Sequence, residues 1–343
     1  MRTGRLGDTI LSAVGSGDVS LPVSASRGVL ARDVEHALHE AVAFGISLLD
    51  VAPDRDSEKL AGEVVRAERA RDRVVIATRV PVLPALELRA GAPRRDVLHE
   101  RLPPLYLQEH VETALRATRL DALPLVQLPL NPGWLTSRAW PELVGTCARL
   151  IREGKVLAWG ALLDEPGDDD APALIAEPWL AAMSVEFHLC DRRAAPLFAA
   201  ANQRNLAILA RHPLAGGALA GSFGPGVRLP PRDARNALDP AALERIAVAV
   251  ASLGALVKHE PPAARSCEAA REAGERARRE RPEQIVCDSV AELALRFAID
   301  RAGIALPRLH RPGHVLAAVA AAAAPPLPDE LAARAEQIFD APR

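Results

Sequence analysis

Apolar and polar positions alternate along the chain in two periods. Val34, Ala37, Leu38, Ala41 and Val42 recur at helical spacing on one face, and Gly45 stands where a helix-ending left-handed residue is wanted. Residues 46–49 then form a short apolar run that predicts a buried strand ending in Asp50, and after a Pro-containing turn Ser57 is placed to cap a helix with Glu58 in its first turn. An acidic residue at the carboxyl end of a strand that feeds a helix occupies the place where barrel and doubly wound enzymes keep their chemistry, or simply caps the loop. The unit repeats. Strands are predicted at 18–26, 73–79, 123–128, 156–159, 181–187, 206–211 and 303–306, and helices at 58–69, 107–120, 141–153, 171–175, 194–203, 241–257, 290–300 and 329–339. Residues 1–17 read as a hairpin or extension. Eight short strands, each followed by helix, predict one α/β domain over 1–343, a (β/α)8 TIM barrel with its functional face at the strand carboxyl ends; a doubly wound sheet is the alternative. The segments 81–104 and 213–288 are expected as long loops over the mouth, with the charged stretch 267–284 helical or loosely ordered at the surface.

Composition narrows the function. At 343 residues and 49% hydrophobic, the chain can bury a large core. A formal charge of −2 and 3% aromatic residues offer neither a field nor a stacking surface for nucleic acid or an anionic membrane. Cys147, Cys190, Cys267 and Cys287 are far apart, so neither a disulfide framework nor a metal site is expected. No apolar run reaches the ~18 residues a membrane span needs, and no export signal is recognised, so a cytoplasmic location is expected. Abundant Ala, Arg and Pro fit a GC-rich genome. Walker A, Gly-x-Gly-x-x-Gly, His-Glu-x-x-His and Gly-x-Ser-x-Gly signatures are absent. Lys59, Lys155 and Lys258 are the only lysines, and Tyr106 is the only tyrosine.

Several blocks, in order and at consistent spacing, resemble the aldo-keto reductase family from about residue 20 to 339. LLDVAPDRDSEKLAGEVV resembles that family's Asp-Thr-Ala-x-x-Tyr-Gly-x-Ser-Glu motif, and RDRVVIATRV its third strand, which ends in lysine. LIREGKVLAWG looks like the fifth strand, ARHPLAGGALAG like the loop bordering the cofactor pyrophosphate, and SVAELALRFAI like the helix before strand eight. The resemblance implies a barrel that reduces carbonyls with NADPH through an aspartate, a tyrosine acid, a lysine that tunes it and a histidine that orients the carbonyl. Laid onto this chain, the aspartate is Asp50, but the other three positions hold Arg55, Arg79 and Pro129. A guanidinium with a pKa above about 12 does not serve as a proton donor near neutral pH. Proline has no side-chain donor. Tyr106 either swings in as a substitute or is a packed aromatic at a helix start.

The implied cofactor site is thinned as well. Ser-Asn after strand five corresponds to Leu162 and Leu163, and a strand-six glutamine to Ser184. Phosphate contacts near strand eight and a later asparagine correspond to Arg308, His310, Arg311 and Ala318, and Gly216 and Gly217 fall in the pyrophosphate loop or are plain turn residues. The expected function is therefore a binding protein on a reductase fold, with no cofactor, taking a small molecule, a peptide or a partner enzyme, in a bacterial biosynthetic setting. Asp50, Arg55 and Arg79 would line its groove, and the two arginines would favour an anionic ligand. The alternative is an enzyme, either non-redox, using Asp50, Asp54, Asp56 and the arginines, or a residual NADP-dependent reductase.

Overall fold

The computed structural model describes residues 1–84, 96–165, 171–221, 225, 227–237, 239–259, 267–279 and 285–340. An antiparallel hairpin, β1 (Thr3–Leu6) and β2 (Thr9–Ser12), precedes eight parallel strands: β3 (Ser16–Val19), β4 (Leu48–Val51), β5 (Val75–Arg79), β6 (Leu125–Pro129), β7 (Trp159–Leu163), β8 (Leu180–Glu186), β9 (Ala207–Arg211) and β10 (Gly303–Leu306). Each of these strands pairs with the next in chain order, and the seam between β10 and β3 closes through backbone bonds from Gly15 to Ala305 and from Gly17 to Pro307. A Cβ on Gly17 would lie 2.2 Å from the Leu306 carbonyl oxygen, so the close approach at the seam requires glycine. The helices are α1 (Leu21–Ser26), α2 (Ala31–Ala43), α3 (Arg55–Ala67), α4 (Val97–Arg101), α5 (Pro104–Thr118), α6 (Trp140–Arg152), α7 (Ala171–Ile175), α8 (Ala195–Gln203), α9 (Pro240–Gly254), α10 (Glu268–Arg278), α11 (Val290–Ala302), α12 (Pro312–Ala323) and α13 (Asp329–Asp340). Among the described residues no helix is long and apolar enough to cross a membrane.

Strand alternation sorts the side chains into two layers. Leu48, Val75, Ala77, Leu125, Ala182 and Leu209 fill the barrel interior with Leu6 and Leu11 of the hairpin, whereas Leu49, Val51 and Ile76 pack outward with Val34, Leu38 and Val65 of α2 and α3. By the same period Asp50, Arg79, Gln127 and Ser184 belong to the inward set.

Some expected elements move. The first strand is Ser16–Val19 and not 18–26, because Ser20 accepts a bond from the Val23 amide and Pro22 sits in the first turn, so the chain turns helical at Leu21. Ser57 does not cap the next helix. Asp54 does, accepting from the Ser57 amide at 2.9 Å, and the Ser57 hydroxyl instead accepts from Leu21 N. Val156 makes only an isolated bridge to Leu123, and the strand proper runs Trp159–Leu163, which places Leu162 and Leu163 inside it and not after it. Helix α12 was not anticipated, because its alanine-rich sequence carries little contrast between faces. Of the segment 81–104, residues 85–95 lie outside the described residues. Its later part is α4, whose Leu98 is buried in the core beside Leu102. Residues 166–170 of the acidic loop lie outside the description, as do 222–224, 226, 238, 260–266 and 280–284 of 213–288; the latter segment contributes α9 and α10, packed on each other.

Candidate functional site

Asp50 is 1% exposed, and both of its carboxylate oxygens are engaged. Oδ1 accepts from Gln127 Nε2 at 2.9 Å; Oδ2 accepts from Arg79 Nη2 at 2.8 Å and from the Asp18 amide at 3.1 Å. The register makes this meeting possible, since Arg79 lies opposite Gln127 across β5 and β6 and Asp50 lies opposite Ala77 across β4 and β5. Gly160 keeps the space: a Cβ there would come within 3.3 Å of Gln127 Cγ. Ser184 Oγ donates to Gln127 Oε1, which extends the chain of bonds to β8. Arg79 also lies 4.0 Å from Asp18, and Asp18 in turn accepts from Arg308 just beyond β10. Two acids and two guanidinium groups thus form a neutral ladder, Asp50, Arg79, Asp18 and Arg308, across the barrel mouth.

The other residues expected at the mouth are not gathered with Asp50. Arg55 is the exposed first residue of α3, with no hydrogen bond or ion pair to another described residue. Pro129 ends β6 opposite Leu162. Tyr106 lies in the first turn of α5 with its ring 5.2 Å from His110, and burial pushes its hydroxyl pKa up. Asp54 is held as a helix cap, and Asp56 is exposed beside it. Gln127 and Asp18 were missed in the sequence, although a lone glutamine inside LVQLP is a signal of an inward polar group.

A cavity of about 530 Å3 opens at the ends of β9 and β10. Gly216, Gly217, His310 and Arg311 all line it, as do Arg308 and Ala318. Arg27, Arg235 and His314, which the sequence reading did not single out, join them. Arg235 is clamped by Asp233 through bonds of 2.9 and 2.6 Å and reaches the Gly216 carbonyl at 3.0 Å, helping to fix a loop whose Gly216 has φ 64. Burial pushes the His310 imidazole down to about 3, with His314, Arg308, Arg27 and Arg311 adding repulsion, and burial lowers Arg308 to about 10. Arg308 Nη1 and His310 Nδ1 are buried without a protein partner.

Comparison with known proteins agrees with the barrel and adds a family. The family description "Aldo/keto reductase family" matches residues 16–340. No curated protein sequence matches. Solved structures do: the glycerol dehydrogenase AKR11B4 from Gluconobacter oxydans superposes with a TM-score of 0.69 at 21% identity, covering 98% of this chain and 95% of that one. The holo form of aldo-keto reductase AKR11C1 from Bacillus halodurans gives 0.66 at 18%, covering 98% and 96%. An aldo/keto reductase from Klebsiella pneumoniae in complex with NADP and acetate gives 0.62 at 20%, covering 100% and 96%. With eight parallel strands closed as described and a family match over nearly its whole length, the chain belongs to the aldo/keto reductase family.

Proposed function

We propose that this chain is a ligand-binding member of the family that does not reduce carbonyls. The observation that carries the reading is the saturation of Asp50: its carboxylate is filled by Arg79, Gln127 and a backbone amide. None of these can deliver a proton to a developing alkoxide near neutral pH, because a guanidinium holds its protons to pH 12 or so and amides do not titrate. Tyr106 is engaged elsewhere, on α5.

NADP, which the family implies, finds a divided fit. Orphaned donors and arginines at the cavity suit its phosphates. The amide-holding positions, in contrast, are Leu162 and Leu163, both buried within β7, so the nicotinamide end lacks its polar partners. A non-redox reaction built on Asp50, Asp54 and Asp56 draws no support, since those three carboxylates do not converge. The anion groove expected from Arg55 and Arg79 draws none either, because Arg79 is taken up by Asp50 and Asp18. A panel of aldehydes and ketones with NADPH tests the reading. No turnover is expected, and turnover that survives purification and disappears in Asp50→Asn would overturn it.

A further inference from the structure

We infer that the seam between β3 and β10 holds one internal water molecule as a fixed part of the fold, bonded by Ser16, Arg308 and His310. Such a site goes beyond the ligand-binding reading given above and does not depend on it. Ser16 lies opposite Leu49 in the register of β3 with β4, and Leu49 packs outward with Val34 and Leu38. Its hydroxyl is therefore sent into the apolar layer between sheet and helices, where the residue is 1% exposed and Oγ has no protein partner.

A small void lies beside it. About 10 Å3 in volume, it is lined by Ser16, Asp18, Ser24, Val34, Arg308 and His310. Three of these residues each carry a polar atom that is buried without a protein partner: Ser16 Oγ, Arg308 Nη1 and His310 Nδ1. Buried polar groups in folded proteins are nearly always bonded, so three such groups on one wall point to a shared partner.

Size and charge choose that partner. A void of this volume takes one water and nothing larger. A cation would meet the Arg308 guanidinium, and an anion would meet the Asp18 carboxylate that already bonds Arg308. Arg308 can only donate, whereas burial, aided by His314, Arg308, Arg27 and Arg311, pushes the His310 imidazole down to about 3 and leaves a neutral ring that can accept at Nδ1. A water accepts from Arg308, donates to His310 and makes its third bond with the Ser16 hydroxyl, the usual number for an internal water. It thereby adds a link between β3 and the segment after β10, beside the backbone bond from Gly17 to Pro307. Arg308 and His310 also line the larger cavity, so a ligand oxygen reaching Nη1 or Nδ1 displaces this water.

A crystal structure of the full chain at a resolution that shows ordered solvent reads this directly. One solvent peak is expected within about 3.2 Å of all three atoms, with no anomalous signal there in crystals soaked in bromide. Oxygen-17 magnetic relaxation dispersion counts long-lived waters in solution, and Ser16→Val, whose second methyl takes the space, should hold one fewer than wild type. An empty void, a direct bond between two of the three groups, or a bromide peak in the void overturns the inference, as does an equal count in wild type and Ser16→Val. Should Ser16→Val fail to fold, the wild-type structure decides alone.

Discussion

Two regions at the same end of the barrel have opposite character. Around Asp50 both carboxylate oxygens meet donors and the charges cancel in pairs, although Arg79 Nε is buried without a partner. At the β9 and β10 cavity, a short way along the same ladder of ions, Arg308 Nη1 and His310 Nδ1 are buried without a partner, and among the described residues the lining cations outnumber the acids that bond them. A paired buried charge serves mainly to hold the fold, whereas an unpaired donor beside a cavity is a binding group in waiting. The contrast separates structure from recognition within one set of arginines: Arg79 belongs to the first, Arg27 and Arg311 to the second, and Arg308 to both.

Substitution at the sealed end should have the largest effect. Asp50→Ala leaves Arg79 buried without its partner and Gln127 without its acceptor, and is expected to lower the unfolding free energy by about 3–5 kcal/mol in denaturant titrations. Little change would mean that the sealed region is not sealed.

The outer face of the same strands gives the next effect. Glu58 is buried and accepts from the Thr78 hydroxyl at 2.6 Å; burial pushes its carboxyl up to about 7, against the opposing pull of that bond. The folded protein therefore holds this proton more tightly than the unfolded chain does. Its stabilisation is complete below about pH 4.5 and is lost as pH rises through 7. Glu58→Gln should remove that slope and stabilise the protein at pH 8 by about 2 kcal/mol, measured as unfolding free energy against pH.

At the open end the sign reverses. His310 faces His314, Arg308, Arg27 and Arg311, and its depressed pKa means that its contribution is present above the unfolded value near 6.5 and is lost as pH falls toward 3. Lowering the pH from 7 to 5.5 should cost about 1 kcal/mol after allowing for solvent screening, less in His310→Gln, and millimolar inorganic phosphate should offset the loss. The smallest effect belongs to Arg55→Ala, expected within about 0.5 kcal/mol of wild type because the side chain is exposed and unengaged. A larger destabilisation would return Arg55 to the mouth.

The sealed region was easier to read in the sequence than the open one, for a physical reason. Asp50 and Arg79 each close a short apolar run, so strand period alone turns them inward and brings neighbouring strands' ends together. Gln127 obeys the same period, and as a lone polar residue among Leu125, Val126 and Leu128 it signals an inward polar group without naming the partner it meets. The cavity draws Arg27, Arg235 and His314 from distant parts of the chain, and nothing local to any of them announces that they converge. Resemblance supplied Gly216, Gly217, Arg308, His310 and Arg311; Arg27 and Arg235 needed the fold. Local propensity also misjudged residues 21–26, where Val and Ser suggested strand until Ser20 and Pro22 set a helix start.

The glycine seam governs how this molecule can be made. Asp18 and Arg308, which pair across it, are 290 positions apart, and the bond from Gly15 to Ala305 spans a similar distance. Neighbouring strands elsewhere are consecutive in the chain and join over one to three described α-helices, so the sheet can grow locally from β3 onward, but the last joint must wait until β10 has left the ribosome. Until then β3 and β9 present open edges able to pair with another copy. Loop-closure entropy makes that final joint the slow step of assembly. Because Gly15 and Gly17 let the two backbones meet without rearranging side chains, the closing barrel meets little steric resistance once its ends have found each other.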